Sequence, residues 1–372
     1  VKYLRVNETF ELESGGCLPA LEIAYTTYGT MNPEGDNVIW ICHALTANAD
    51  PVEWWPGLVG TGKLFDPDHH FIVCANMLGS CYGTTGSASI DTATGRPFRL
   101  AFPAVTIRDM VRAHELLRTH LGIGRIALAI GGSMGGQQAL EWAIMAPEHI
   151  ERIALLASNA RHSPWGIAFN ESQRMAIHAD ATLHEAGPEA GRHGLEAARA
   201  VAMLSYRNYQ TYVHTQSEAG DELPDDFRAA TYQRYQGLKL RKRFDVFSYL
   251  TLSRAMDSHN VGRGRGGVAA ALAQVRARTL VISIQSDILF PVTEQVELAN
   301  HIPRAQLEII DSLYGHDGFL IEHEQIGLLV RRFLEDEPFQ APAFGYKLNG
   351  ARATTRTPIV VDSMALPGTE KF

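Results

Sequence analysis

An α/β fold with a mostly parallel central sheet, helices on both faces and an inserted helical lid is what this sequence predicts, on three observations. Strand-like and helix-like segments alternate through the first half of the chain. A serine stands between glycines where an apolar run meets a helix-like segment, at Gly131-Gly132-Ser133-Met134-Gly135. From about Arg161 to Arg276 the alternation gives way to helical and loop-like stretches, and strand patterning resumes at Arg278.

The elements follow in chain order. Ala20 to Tyr28 is expected as an edge strand, and Asn37 to Cys42 (NVIWIC) and Phe71 to Ala75 (FIVCA) as core strands. Thr106 to Leu121 carries Ile107, Met110, Val111, Leu116, Leu117 and Leu121 at helical spacing. Arg125 to Ile130 is a continuous apolar run of the kind buried on both faces of a parallel sheet. Gly136 to Met145 reads as a helix closed off by Pro147, and Ile150 to Ala157 as the next strand. The last strands are expected at Arg278 to Ile284 and Ala305 to Ile310. Residues 1–160 and 277–338 then form one discontinuous core, 161–276 a helical lid, and 339–372 a tail with no readable role. Gly262 to Gly267 is glycine-rich but lacks the preceding strand and the lysine of a phosphate loop, so it reads as the return from lid to core.

Composition narrows the function. At 372 residues, 45% hydrophobic and 20% charged, the chain has enough apolar residues for a large core. A net charge of −8 speaks against general nucleic-acid binding, which needs a basic surface. No apolar run approaches a membrane span, and VKYLRVNETF lacks the charged-then-apolar layout of a signal peptide, so no membrane partner is expected. The cysteines Cys17, Cys42, Cys74 and Cys81 have no metal-clip spacing, and a chain this large does not need disulfide staples. Reduced thiols in the cytoplasm, with no metal, are the expectation.

Strand, Gly-x-Ser-x-Gly turn and helix together are the nucleophile elbow of the α/β-hydrolase architecture. The glycines let strand and helix approach closely and hold the serine hydroxyl out, so Ser133 is the candidate nucleophile. A serine needs a base, and the base needs a third group to fix its tautomer. The chain order in this architecture is Ser, then Asp or Glu, then His. Asp287 ends VISIQSD after a late strand; alone it would read as a turn or helix-cap aspartate. Among 15 histidines, His316 is the one in a Gly-flanked loop after the last strand. The oxyanion of acyl transfer needs backbone donors, expected at Met134 and, in the loop after NVIWIC, at Leu45. His43 reads as structural.

These residues resemble the homoserine O-acetyltransferases of methionine biosynthesis over nearly the whole chain to about residue 335. The resemblance rests on His43-Ala44-Leu45-Thr46, on Leu78 to Gly86 with Thr94 to Phe98, and on the elbow. It extends to Phe244-Asp245, to Ser258 through Gly264, and to Gly315-His316-Asp317-Gly318-Phe319. Ser87 and Tyr82 depart from it, at positions where the family commonly has proline and often glutamine.

The resemblance implies a ping-pong exchange in which acetyl-CoA, a co-substrate, acylates Ser133 and the acyl group then passes to the γ-hydroxyl of L-homoserine. It implies no cofactor and a homodimer. It assigns the amino acid's carboxylate to Arg207, in Leu204-Ser205-Tyr206-Arg207, and its amino group to Asp317. A planar guanidinium suits a carboxylate. Succinyl transfer, serine as acceptor, a plain esterase, and a silent binding protein of the same fold stay open as alternatives.

Overall fold

A computed structural model describes residues 1–221 and 223–335 of the chain. Its main sheet has eight strands: β1 (Lys2–Val6), β2 (Leu21–Tyr28), β3 (Val38–Cys42), β4 (Phe71–Ala75), β5 (Leu128–Gly132), β6 (Arg152–Leu156), β7 (Arg278–Ile284) and β8 (Ala305–Ile310). They lie side by side as β1-β2-β4-β3-β5-β6-β7-β8. The pairings of β1 with β2 and of β2 with β4 are antiparallel, and every pairing from β4 to β8 is parallel.

Unbroken apolar runs suit the middle of such a sheet because both faces are covered. β3 (VIWIC) and β5 (LAIGG) are buried at every position. Val38, Trp40 and Cys42 point into one apolar cluster and Ile39 and Ile41 into the other. The first cluster is closed by α1 (Ile107–His120) and α2 (Met134–Met145), and α1 starts with a capping box between Thr106 and Asp109. All of α2 but Met145 is buried, so this helix lies inside the protein.

After β6 come α3 (Pro164–His178), α4 (Arg192–Tyr206), α5 (Tyr209–Gln216), α6 (Arg228–Arg241), α7 (Val246–Asp257) and the short α8 (Val268–Leu272). α3 packs on α4, and α4 on α6. The segment is tied to the loops of the sheet by hydrogen bonds from Trp165 Nε1 to the Ile288 carbonyl (2.6 Å) and from Thr211 Oγ1 to the Leu313 carbonyl (2.5 Å). α9 (Val292–His301) follows β7, and α10 (His323–Leu334) closes the second cluster with Ile326, Val330 and Phe333.

One expectation is corrected. Leu21–Tyr28 is not an edge strand, because β1 pairs along it from Lys2–Tyr25 to Val6–Leu21 and takes the edge itself. β1 (KYLRV) has no fully buried position and packs on the first cluster only through Leu4 and Val6, so its apolar alternation is too short to mark a strand. The expected tail at 339–372 lies outside the described residues.

Candidate active site

The elbow forms because β5 and α2 meet with almost no space between them. Ser133, the residue joining them, has φ 56° and ψ −126°, a conformation that costs a non-glycine residue about 1–3 kcal/mol. Packing enforces it. A Cβ on Gly135 would stand 2.1 Å from the Cys42 carbonyl oxygen at the end of β3, so only glycine lets α2 begin there. From the other side the Ser133 N–H donates to the Leu156 carbonyl (2.9 Å), and Ser158 Oγ donates to the Ser133 carbonyl (2.9 Å).

Asp287 and His316 come together in the loops after β7 and β8. His316 Nδ1 is 2.7 Å from Asp287 Oδ2, and the other carboxylate oxygen accepts the N–H groups of Leu289 (2.8 Å) and Phe290 (2.9 Å). Asp287 is thus both the turn aspartate and the partner of a histidine, the two readings its sequence position allowed. An acceptor-only carboxylate on Nδ1 holds the proton on that nitrogen and leaves Nε2 as the base. The ring is clamped by Phe290, stacked at 4.9 Å between centroids, and by Phe319, edge-on at 5.4 Å. Gly315 (φ 60°) places this loop against the end of α4, where an added Cβ would lie 3.1 Å from the Arg207 carbonyl carbon.

Ser133 and His316 line one cavity of about 400 Å³, together with Leu45, Tyr206 and Asp317. The loop carrying Leu45 is braced by His43. His43 Nε2 accepts from the Met77 N–H (3.1 Å), so Nδ1 carries the hydrogen and donates to the Ala44 carbonyl (2.9 Å). Burial pushes the His43 imidazole down to about 4, so it stays neutral and serves as a brace. Among the described residues neither the Leu45 nor the Met134 N–H donates to a protein acceptor. For Met134 the reason is plain, since the first N–H of a helix has no helical partner.

Arg207 and Asp317 adjoin each other, with Nε 3.0 Å from Oδ2 in an ion-pair contact that lacks hydrogen-bond alignment. Asp317 faces the cavity; Arg207 stands behind it, over the Tyr314 ring at 5.3 Å, and does not line the cavity wall. Burial raises the Asp317 carboxyl above its ordinary value, against the pull of Arg207 and Arg199. Sequence reasoning missed Arg199. It lies two turns before Tyr206 on the same face of α4, lines the cavity, and sits 5.0 Å from that ring. Among the described residues Arg199 has no carboxylate within ion-pair distance. The i, i+7 spacing of Arg199 and Tyr206 was the available signal, but only the packed helix shows which face meets the cavity.

Cys42 and Cys81 do not compete with Ser133 as nucleophiles. All four cysteines are free, and burial pushes the Cys42 thiol up to about 12 and the Cys81 thiol to about 11, far from the reactive thiolate. Among the described residues no three metal-ligating side chains gather at one place, and no helix is long and apolar enough to cross a membrane.

Comparison with known proteins gives the family. Residues 37–322 match the family model described as the alpha/beta hydrolase fold. A homoserine O-acetyltransferase of Cyclobacterium marinum is 50% identical over 326 residues, covering 88% of this chain and 93% of the relative. The crystal structure of a homoserine O-acetyltransferase from Bacillus anthracis superposes with a TM-score of 0.81 over 90% of this chain and 97% of that one. At 24% identity that likeness shows the fold alone. The acetyl esterase MekB is also similar, with a TM-score of 0.78 and 26% identity over 90% of this chain and 96% of that one. Fold therefore does not choose between transferase and esterase, whereas the high-identity match does. The chain belongs to the homoserine O-acetyltransferase family of the α/β-hydrolase fold.

Proposed function

We propose that this protein transfers the acetyl group of acetyl-CoA to the γ-hydroxyl of L-homoserine through an acyl-enzyme on Ser133. The observation that carries the reading is one cavity holding a strained serine and an Asp287-oriented His316, with Asp317 and Arg199 beside them. His316 Nε2 takes the Ser133 proton as Oγ attacks the thioester carbon, and the resulting oxyanion is held by the Leu45 and Met134 N–H groups. The C–S bond breaks, the thiolate takes the proton from His316, and coenzyme A leaves. His316 then takes the proton of the homoserine hydroxyl, whose oxygen attacks the acyl carbon. The bond to Ser133 Oγ breaks and the proton returns to that oxygen.

Water could complete the same cycle, giving an esterase. The opposed charges beside Ser133 favour an amino acid. Asp317 meets the amino group and Arg199 the carboxylate, with Arg207 adding positive charge for that carboxylate from behind Asp317. The 161–276 segment acts as the lid that carries both arginines. No cofactor takes part, and acetyl-CoA is a co-substrate. Free thiols suit the reducing cytoplasm, where the family resemblance points to a homodimer.

Thiol release from acetyl-CoA should depend on L-homoserine and fall at least about a thousandfold in Ser133→Ala. Crossing acetyl- and succinyl-CoA with homoserine and serine checks donor and acceptor together. Equal thiol release without any amino acid would make the protein an esterase.

A further inference from the structure

The lid carries a run of cations that the chemistry at Ser133 does not use. At the end of α6 and in the turn to α7 stand Lys239, Arg241, Lys242 and Arg243, in a chain whose net charge is −8. Part of the run is explained by local structure. Arg241 pairs with Glu196 (3.2 Å) and Glu189 (3.1 Å), and a cation near a helix C-terminus offsets the dipole. The dipole favours Lys239 in the last turn and Lys242 at the C-cap as well, but no carboxylate among the described residues neutralises either of them or Arg243. Among the described residues Lys239 and Lys242 have no ion-pair or hydrogen-bond partner, and Arg243 has no carboxylate partner. Arg243 donates instead to the Thr46 carbonyl (2.5 Å) and Tyr82 Oη (2.9 Å), which pins its guanidinium over the loop that carries Leu45.

The placement of these groups is specific. Lys239 and Arg243 line the cavity of Ser133, and Arg243 and Lys242 line an adjoining cavity of about 400 Å³. Arg243 is the wall shared by both. The acids lining these cavities are Glu53 and Asp317 in the first, the latter beside Arg207, and Asp245 in the second. Asp245 is engaged in accepting the Ser248 N–H at the start of α7 (2.7 Å). A cationic strip at the outer end of an acylation cavity matches an acyl donor that is neutral at its reactive end and polyanionic at the other.

We propose that Lys239, Lys242 and Arg243 form the docking site for the phosphate groups of the acyl-CoA donor, with the thioester arm running inward past Arg243 to Ser133. This rests on the acyltransferase reading above. It also assigns a role to Tyr82, one of the residues that departs from the family pattern. Its hydroxyl accepts from Arg243 and so fixes the angle of the guanidinium toward the phosphates.

The test is calorimetric titration of the full chain, wild type and Lys239→Glu/Lys242→Glu, with coenzyme A and with phosphate-free pantetheine. Both lysines are exposed, so the fold does not depend on them. Affinity for coenzyme A should fall about tenfold or more in the double variant, with a smaller loss in Lys239→Gln/Lys242→Gln. Pantetheine should bind wild type and variants alike, and added salt should weaken only coenzyme A. Equal affinities of wild type and charge-reversed variant for coenzyme A, or parallel losses for both ligands, would overturn the docking site. So would a wild-type protein that binds no coenzyme A. Should coenzyme A bind through the lysines while no acetyl group reaches homoserine, the docking site stands and the acceptor reading falls.

Discussion

Around Ser133 the contacts are made by backbone and small side chains, packed so closely that a single added Cβ on Gly135 meets a carbonyl oxygen at 2.1 Å. The face that α4, α6 and the turn after α6 present to the same cavity is built differently. It presents Arg199, Lys239 and Arg243, long side chains that are half-buried or exposed, and none is held by a carboxylate. The first region has one conformation available; the second keeps charge in reserve for a ligand. Bond-making chemistry needs atoms fixed to within a fraction of an ångström, which a packed core supplies. Recognition of charged substrates needs uncompensated charge, which a packed core cannot hold without a partner.

That division predicts where substitutions act. The largest effect belongs to the rigid region. Asp287→Asn keeps the shape but can offer an N–H to His316 Nδ1, favouring the wrong tautomer, and should lower kcat by about ten-thousandfold. A loss below about tenfold would show that Phe290 and Phe319 alone orient the ring. Next comes Gly135→Ala, which should destabilise the fold by roughly 3 kcal/mol or more, because α2 must retreat from Cys42. Denaturant melts of wild type and variant measure this directly, and an unchanged midpoint would mean that the elbow can relax.

On the recognition side the expected effects are smaller and fall on a different parameter. Arg199→Ala should raise the homoserine KM roughly tenfold to a hundredfold, as loss of a charge-assisted hydrogen bond does, with kcat changed much less. Steady-state kinetics at saturating acetyl-CoA separates the two. If Arg207→Ala raises KM and Arg199→Ala does not, the carboxylate goes to the arginine behind Asp317, and the residue on the cavity wall is a bystander.

The same contrast explains what the sequence could show. Ser133, Asp287 and His316 were readable because each is announced by its own neighbours: a strand run into glycines, an aspartate closing VISIQSD, a histidine between Gly315 and Gly318. Such signals are local, and the parallel sheet then carries them to one edge. Arg199 has no local signal, since one arginine on an amphipathic helix resembles any other until the packing of α4 is known. Arg207 was reached through resemblance, and its position behind Asp317 is a tertiary fact. The edge strand was misplaced for a similar reason. β1 packs on the core only through the half-buried Leu4 and Val6, an apolar alternation too short to mark a strand, and its pairing with β2 is what shows it to be one.

The smallest predicted effect lies behind the elbow and concerns pH. Asn159 links the two sides there, accepting from Gln137 Nε2 of α2 (2.9 Å) and donating to Glu294 Oε2 of α9 (2.8 Å). Burial, aided by the nearby Asp287 charge, raises the Glu294 carboxyl to about 7, against hydrogen bonds from Asn159 and Ser163. The unfolded carboxyl titrates near 4.5, so between that value and about 7 the folded state holds a proton that the unfolded state has lost. Stability contributed by this group is therefore present at the acid end of that window and falls as pH rises through it. Glu294→Gln should remove the slope. The variant should match wild type near the acid end and be more stable by about 1–2 kcal/mol on the alkaline side, as partial exposure tempers the full shift. Calorimetric melts across the window decide it, and parallel pH profiles for the two proteins would sink the idea. Lys239 at the end of α6 and Lys242 just after it provide the internal contrast: being exposed, they should answer to salt and leave this pH profile unmoved.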